Sequence, residues 1–329
     1  ESDPERNGKR ERLTLGVFLP GWEDQNGVAP SWRAIRDLAR RGEAAGLDVL
    51  WLPDHFLLNP TWGGRDAWTL LAALAEATSR IQIGTLVTCT GFREPALLAL
   101  MAATLDEISG GRVILGLGAG YPDRDLSWSA FGYPTDHPTG RFEEAVEIIA
   151  RLGRGEHVTY QGQYYHTDDA VLRIRGPRPN GPPIWIGGEG PRMMRASVRW
   201  ANAYNLRVHP GEAERLREVF GRVDEECGAQ GRDPATLERT GFGLVSLADA
   251  ASLPDRFPDP KRTRPFHGTP EEVAGELRAL WAAGMRHMAC IVDDGATPGP
   301  LTQYPVLSAD GFERFLAVAE AVRRLERAE

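Results

Sequence analysis

The chain has 329 residues, 42% of them hydrophobic and 26% charged, proportions that exclude wholesale disorder. That length suits one large α/β barrel or two ordinary domains. A formal net charge of −8 supplies no basic field for phosphates, so no nucleic-acid partner is expected.

Residues 1–11 are charged, lack the apolar run of a signal peptide and read as a flexible leader. The remainder, 12–329, is expected to form one domain. A strand over 12–18 (RLTLGVF) leads to a Pro-Gly turn. Ser31 then caps an amphipathic helix that runs to about Ala45, with Gly46 as its stop. The stretch 48–57 (DVLWLPDHFL) begins as an apolar strand, passes through Pro53 and delivers Asp54 and His55 where the strand ends. Helices are expected over 65–78 and 95–108, and strands over 81–88 (IQIGTLVT) and 112–117 (RVILGL). After Gly140 the alternation resumes, with helices over 141–152, 192–200, 212–227 and 270–283 and a last one from Asp310. The strands between them fall at 184–187, 203–206, 240–247 and 287–292.

Eight strands, each followed by a helix, predict an α/β chain folded as a (β/α)8 TIM barrel with its site at the strands' carboxyl ends. A doubly wound open sheet competes, but the first strand lacks the Gly-rich fingerprint of that fold. Insertions are expected near 121–139, 157–170 and 248–268. Within them, 157–166 reads as a hairpin around Gly162, and 248–267 as a lid or an irregular surface loop on the active-site face. No apolar run approaches the ~20 residues that span a bilayer, so no membrane partner is expected. The three cysteines, Cys89, Cys227 and Cys290, are dispersed without metal-ligand spacing; a reducing, cytoplasmic setting follows, with no metal site.

A carboxylate beside an imidazole at a strand end, as in Asp54–His55, suits holding a cofactor and moving a proton. The plainer alternative has Asp54 capping a turn and His55 packed on Phe56. Strand three ends at Leu86, Val87, Thr88 and Cys89, and strand four at Gly118, Ala119, Gly120 and Tyr121. No Ser-His-Asp set or paired carboxylates arise there. Such a set is poor for hydrolysis and workable for seating a flat cofactor. The Gly116–Gly120 run lets a ring lie close to the backbone, and Gly187–Pro191 (GGEGP) joins a strand to a helix start suited to phosphate. Arg93, Arg192, Arg262, Arg264 and His267 are candidate anion ligands. Cys89 reads as a buried structural thiol, and Asp293–Asp294 as pocket-facing or helix-capping residues. The helices over 65–78 and 95–108 are apolar nearly all round and are expected to bury their outer faces in a homodimer.

Taken together, WLPDHF, IGTLVT, FREPALLALMAATLDEISGGRVILGLGAG, RFEEAVEII and PPIWIGGEGPRMMR resemble the bacterial-luciferase-like superfamily of flavin- and deazaflavin-dependent oxidoreductases. The likeness covers roughly 13–206, and the family fold is a (β/α)8 barrel with inserted loops. The Asp-His pair is similar to that of members using coenzyme F420. This implies that Asp54 contacts the cofactor and that His55 lies beside its reactive ring. The resemblance further implies a non-prolyl cis peptide at Leu86–Val87 under the ring, and contacts from Gly188, Glu189, Gly190 and Pro191 to the cofactor's side chain and phosphate. Tyr121 stands where sugar-phosphate dehydrogenases of the family carry glutamate, and it is expected to wall the substrate pocket. The implied activity is hydride transfer between reduced F420 and a small organic substrate. The alternatives are a reduced-FMN monooxygenase and a non-catalytic flavin-binding barrel.

Overall fold

Apolar segments too short for helices, bounded by glycine or polar turns, form eight strands in a computed structural model that describes residues 12–23, 27–59, 62–257, 259, 263–295 and 307–327. They are β1 Thr14–Phe18, β2 Val49–Leu52, β3 Gln82–Cys89, β4 Val113–Gly118, β5 Ile184–Gly187, β6 Ala203–Arg207, β7 Glu238–Ser246 and β8 His287–Asp293. The helices between them are α1 Trp32–Ala44, α2 Ala67–Ala77, α3 Pro95–Ile108, α4 Pro138–Gly153, α5 Pro191–Trp200, α6 Ala213–Ala229, α7 Pro270–Ala282 and α8 Ala309–Arg327. Their starts follow local chemistry. The Ser31 hydroxyl accepts the Ala34 N–H, Asp66 accepts that of Thr69, and Thr269 with Glu272 forms a capping box.

All the pairings are parallel and run in sequence order from β1 to β8, and β8 pairs back onto β1. The ring is closed. An open doubly wound sheet would leave two edges, so the barrel expectation holds. Odd and even positions along each strand separate two cores. On β6, Tyr204 and Leu206 pack outward against the helices, while Ala203 belongs to an inner cluster with Phe18, Val49, Trp51, Leu86, Ile114, Trp185, Leu244 and Ile291. The outer core is continuous from Leu13 to Val322.

The lower barrel is filled by Trp51, Trp185 and His287, whose rings meet at centroid distances of 5.0 to 5.6 Å. Gly84 makes room for them: a Cβ there would lie 2.8 Å from the Trp51 ring. Trp51 Nε1–H donates to His287 Nε2 (3.1 Å), so the ring proton sits on Nδ1 and is donated to Thr14 Oγ1 (2.8 Å). The Thr14 hydroxyl passes the chain on to the Arg286 carbonyl (3.0 Å).

Several boundaries differ from the sequence reading. The strand β2 stops at Leu52, before Pro53, because proline cannot donate to the ladder. A small two-stranded unit, Leu57–Asn59 with Trp62–Gly63, follows His55 and was not anticipated. The second hairpin pairs Val158–Gln161 with His166–Ala170, so its second strand lies beyond the expected segment. Glu144 accepts the backbone N–H groups of Gln163, Tyr164 and Tyr165 and holds those residues in the turn. Residues 1–11 lie outside the described residues.

Burial lowers the His287 pKa from 6.5 to about 3. Between those values the unfolded chain binds a proton that the folded chain refuses. Stability from this site is complete above pH 6.5 and declines as pH falls toward 3, by at most about 1.4 kcal/mol per pH unit. Nitrogen-15 NMR at about pH 5 is expected to show a neutral, Nδ1-protonated ring, and an imidazolium there would refute the assignment.

Candidate active site

The end of β2 carries the pair singled out in sequence. Asp54 is completely buried, and both its oxygens are taken by Arg93, from Nη1 at 2.5 Å and Nη2 at 3.1 Å. The second nitrogen also donates to Asp66 Oδ2 (2.8 Å), the residue that caps α2. Arg93 follows the turn Thr90–Phe92 after β3, so one guanidinium joins two successive βα connections, gripping both ends of the first. Burial works against the cation, but Asp54 and Asp66 outweigh it and raise the Arg93 pKa. Asp54 is therefore an anchor for Arg93, and its carboxylate does not stand in an open cavity.

His55 points the other way. Its Nδ1 lies 2.5 Å from Asp125 Oδ2, and the ring is about nine-tenths buried, with 13% of the side chain exposed. Burial disfavours the Asp125 anion, yet hydrogen bonds from His55 and Ser127 keep its carboxyl below the usual range. The ionised Asp125 makes Nδ1 a donor, so in the neutral ring the basic nitrogen is Nε2. Ser127 braces the arrangement. Its backbone N–H donates to Asp125 Oδ1 (2.9 Å), and its Oγ accepts the N–H groups of Phe56 (3.1 Å) and Leu57 (2.8 Å). Trp22 lies against the His55 ring at a centroid distance of 6.0 Å.

Phe56 stacks toward Phe92 (5.0 Å), and Phe92 toward Trp128 (5.1 Å) and Tyr133 (4.8 Å). At the rim of this aromatic wall Phe131 and Tyr121 are exposed, Tyr121 by 65%. Gly120 has φ +76° and lies against Trp128, where a Cβ would come within 2.6 Å of the indole.

The Leu86–Val87 peptide is cis, and the pairing of β3 with β4 shifts between Thr85 and Thr88. Both side chains face the barrel interior, and a Cβ on Gly118 would strike Val87 Cγ2 at 2.6 Å. Thr88 is buried and donates to Thr85 Oγ1 (2.7 Å), placing it in the barrel wall. Burial pushes the Cys89 thiol up, in keeping with a structural role.

Beyond β5, Tyr204 donates its hydroxyl to the Gly188 carbonyl (2.9 Å), with burial pushing that phenol up to about 12. Gly190 precedes α5 in extended conformation without a side-chain cap, and Pro191 is the first helical residue. The Glu189 carboxylate is exposed and paired with Arg215 (2.5 Å). Of the remaining candidates, Arg192 pairs with Glu143, Arg264 with Glu212, and His267 Nε2 lies 2.8 Å from the Ala248 carbonyl. Arg262 lies outside the described residues. Asp294 accepts the Ser308 N–H (2.7 Å) ahead of α8, while Asp293 is buried against Ser246 and Arg256. Leu253 and Phe257, from the long connection after β7, pack into the inner cluster, so that connection lies over the barrel mouth. Among the described residues no cluster of three His, Cys, Asp or Glu side chains could hold a metal ion.

A closed parallel barrel with an Asp-His pair after β2 and a cis bulge in β3 defines the structural class. The chain belongs to the luciferase-like monooxygenase family, whose sequence profile matches residues 13–256. It is 35% identical over 212 residues to the F420-dependent glucose-6-phosphate dehydrogenase of Amycolatopsis mediterranei, covering 63% of each chain. It is 31% identical over 206 residues to the 5,10-methylenetetrahydromethanopterin reductase of Archaeoglobus fulgidus, covering 62% of this chain and 58% of that one. The match thus spans about three fifths of these relatives' length. An F420-dependent secondary alcohol dehydrogenase superimposes with a TM-score of 0.76 at 21% identity, over 95% of this chain and 99% of that one. The EDTA monooxygenase of Chelativorans sp. BNC1 gives the same TM-score at 16% identity, over 97% and 94%. At these identities the likeness is one of fold.

Replacing Arg93 by methionine would strand the Asp54 carboxylate in the core. Arg93→Met is expected to cost about 3–5 kcal/mol of unfolding free energy, and adding Asp54→Asn to recover most of it. Urea denaturation measures both, and a cost below about 1 kcal/mol would show that the pair anchors nothing.

Proposed function

We propose that this chain is an oxidoreductase that transfers a hydride between reduced coenzyme F420 and a small organic substrate. The observation that carries this is the His55–Asp125 pair, held at the barrel mouth in a chain whose named relatives include an F420-dependent dehydrogenase. A flat group fits the upper barrel chemically: Gly116, Gly118 and Gly187 present no side chains to the interior, and Asn205 contributes a buried amide without a partner. F420 bound there supplies two electrons as a hydride, without oxygen activation.

His55 Nε2 holds the proton that a carbonyl oxygen gains on reduction, or takes it when an alcohol is oxidised. Asp125 fixes the tautomer and steadies the charged ring. Asp54 acts through Arg93, which holds the connection carrying His55. The Leu86–Val87 backbone supports the ring, with Thr88 and Gly120 shaping the wall behind it. Gly188, Glu189, Gly190 and Pro191 lie at the uncapped start of α5, a position suited to an anionic tail. Tyr121 and Phe131 line the rim as apolar contacts for the substrate.

A reduced-FMN monooxygenase is the second reading, favoured by the family's own description and by the EDTA monooxygenase barrel. Titration with F420 and with FMN separates the two. Quenching of F420 fluorescence is expected, with His55→Ala lowering turnover by about 10²–10⁴-fold while binding persists. Tight FMN binding with none for F420 would overturn the choice.

We further infer a homodimer built on α3, where Leu97, Leu100 and Ile108 are 52%, 45% and 47% exposed. The apolar residues of α2, by contrast, are used up in the chain's own core. Three buried free thiols favour a reducing, cytoplasmic setting, and no helix among the described residues is long and apolar enough to cross a membrane. Sedimentation at micromolar concentration is expected to give twice the monomer mass, and Leu97→Glu with Leu100→Glu to halve it. A monomeric wild type removes the interface.

A further inference from the structure

On β6 the side chains of Tyr204 and Leu206 point outward to the helices, so Asn205 between them faces the barrel interior. It is 1% exposed, and neither Nδ2 nor Oδ1 has a hydrogen-bond partner. Among the described residues it alone leaves both a donor and an acceptor buried and unmet. Exchanging the two atoms by flipping the amide would not change that. Each unmet group carries a desolvation cost of about 1–3 kcal/mol, and leucine would fill the same volume without it. The site therefore gains from asparagine only when something else occupies the barrel.

The surroundings define what that occupant is. Gly187 pairs in register with Asn205 on β5, and the inward positions of β4 beyond it are Gly116 and Gly118. On the β5 side the wall beside the amide is thus free of side chains, while Phe18, Leu86, Leu244 and Ile291, with Phe242 from β7, supply apolar surface to the interior. The Gly188 N–H reaches the Asn205 carbonyl (3.4 Å), so the amide adjoins the loop proposed above for the cofactor. A flat, mostly apolar ring bearing adjacent C=O and N–H groups on one edge complements this environment, since a carboxamide pairs with such an edge through two parallel hydrogen bonds.

We propose that Asn205 binds the pyrimidinedione edge that flavins and deazaflavins share, and so sets the depth and rotation of the ring in the barrel. This rests on the cofactor reading above. Arg256 and Phe257 lie over the same interior, so entry of the ring displaces part of the connection after β7.

The test compares wild type with Asn205→Leu, using oxidised F420 and FMN as probes. For the cofactor that wild type binds, fluorescence titration is expected to show a loss of roughly tenfold to hundredfold in affinity. The absorption spectrum of the bound cofactor is expected to shift as its carbonyl loses a donor. Without cofactor, the melting temperature of the variant is expected to equal or exceed that of wild type, because an unmet amide has been removed. Equal affinity and an unchanged spectrum in a binding-competent wild type would overturn this role alone. A fall of several degrees in the cofactor-free variant would also overturn it, by showing that Asn205 serves the fold. Failure of wild type to bind either probe would sink the cofactor reading and this inference together.

Discussion

Arg93 leaves the turn after β3 and closes on Asp54 at the end of β2 and Asp66 at the start of α2. Loops at a barrel mouth have few backbone partners of their own, and here a single planar cation substitutes for them. Its two nitrogens span the oxygens of a completely buried carboxylate, which fixes the direction in which the next residue leaves the strand. That residue is His55. The imidazole reaches Asp125 because Asp54 is turned the opposite way, so the Asp54–Arg93 ion pair and the His55–Asp125 dyad are two consequences of one local geometry.

The barrel is asymmetric around its axis. Large rings from β2, β5 and β8 fill the lower end and Phe18 of β1 stands on one side, whereas above Trp185 β4 and β5 place glycine at Gly116, Gly118 and Gly187. The β3 bulge sits against the glycine side, with Val87 lying over Gly118. Backbone can approach the interior closely there, and side chains elsewhere supply the packing that holds the ring closed. A single sequence thus combines a rigid floor with a wall of bare peptide.

The strands were legible because a parallel barrel is buried on both faces and so reads as apolar runs interrupted by turns. The Asp54–His55 pair was legible because it ends such a run, and the Leu86–Val87 cis bond because it travels with a motif. Asp125 was not, since it lies 70 residues from His55 in a loop without periodicity, and only folding brings the two together. The resemblance implies a cofactor contact for Asp54; its pairing with Arg93, 39 residues on, is one that nothing local announces. The outer face of α2 also read as exposed, because periodicity cannot tell an interface from a helix enclosed by its own chain. Asn205 left one trace in sequence, a carboxamide in the interior of a short strand flanked by Tyr204 and Leu206, where an unpaired polar group is costly.

Trp51, Trp185 and His287 seal the amino-terminal end of the barrel, each at most 5% exposed. Any guest of the barrel interior therefore enters and leaves from the carboxyl-terminal end of the strands. Were two guests to share the space above that floor, whichever sat deeper would arrive first and depart last, and the shallower one would come and go past it.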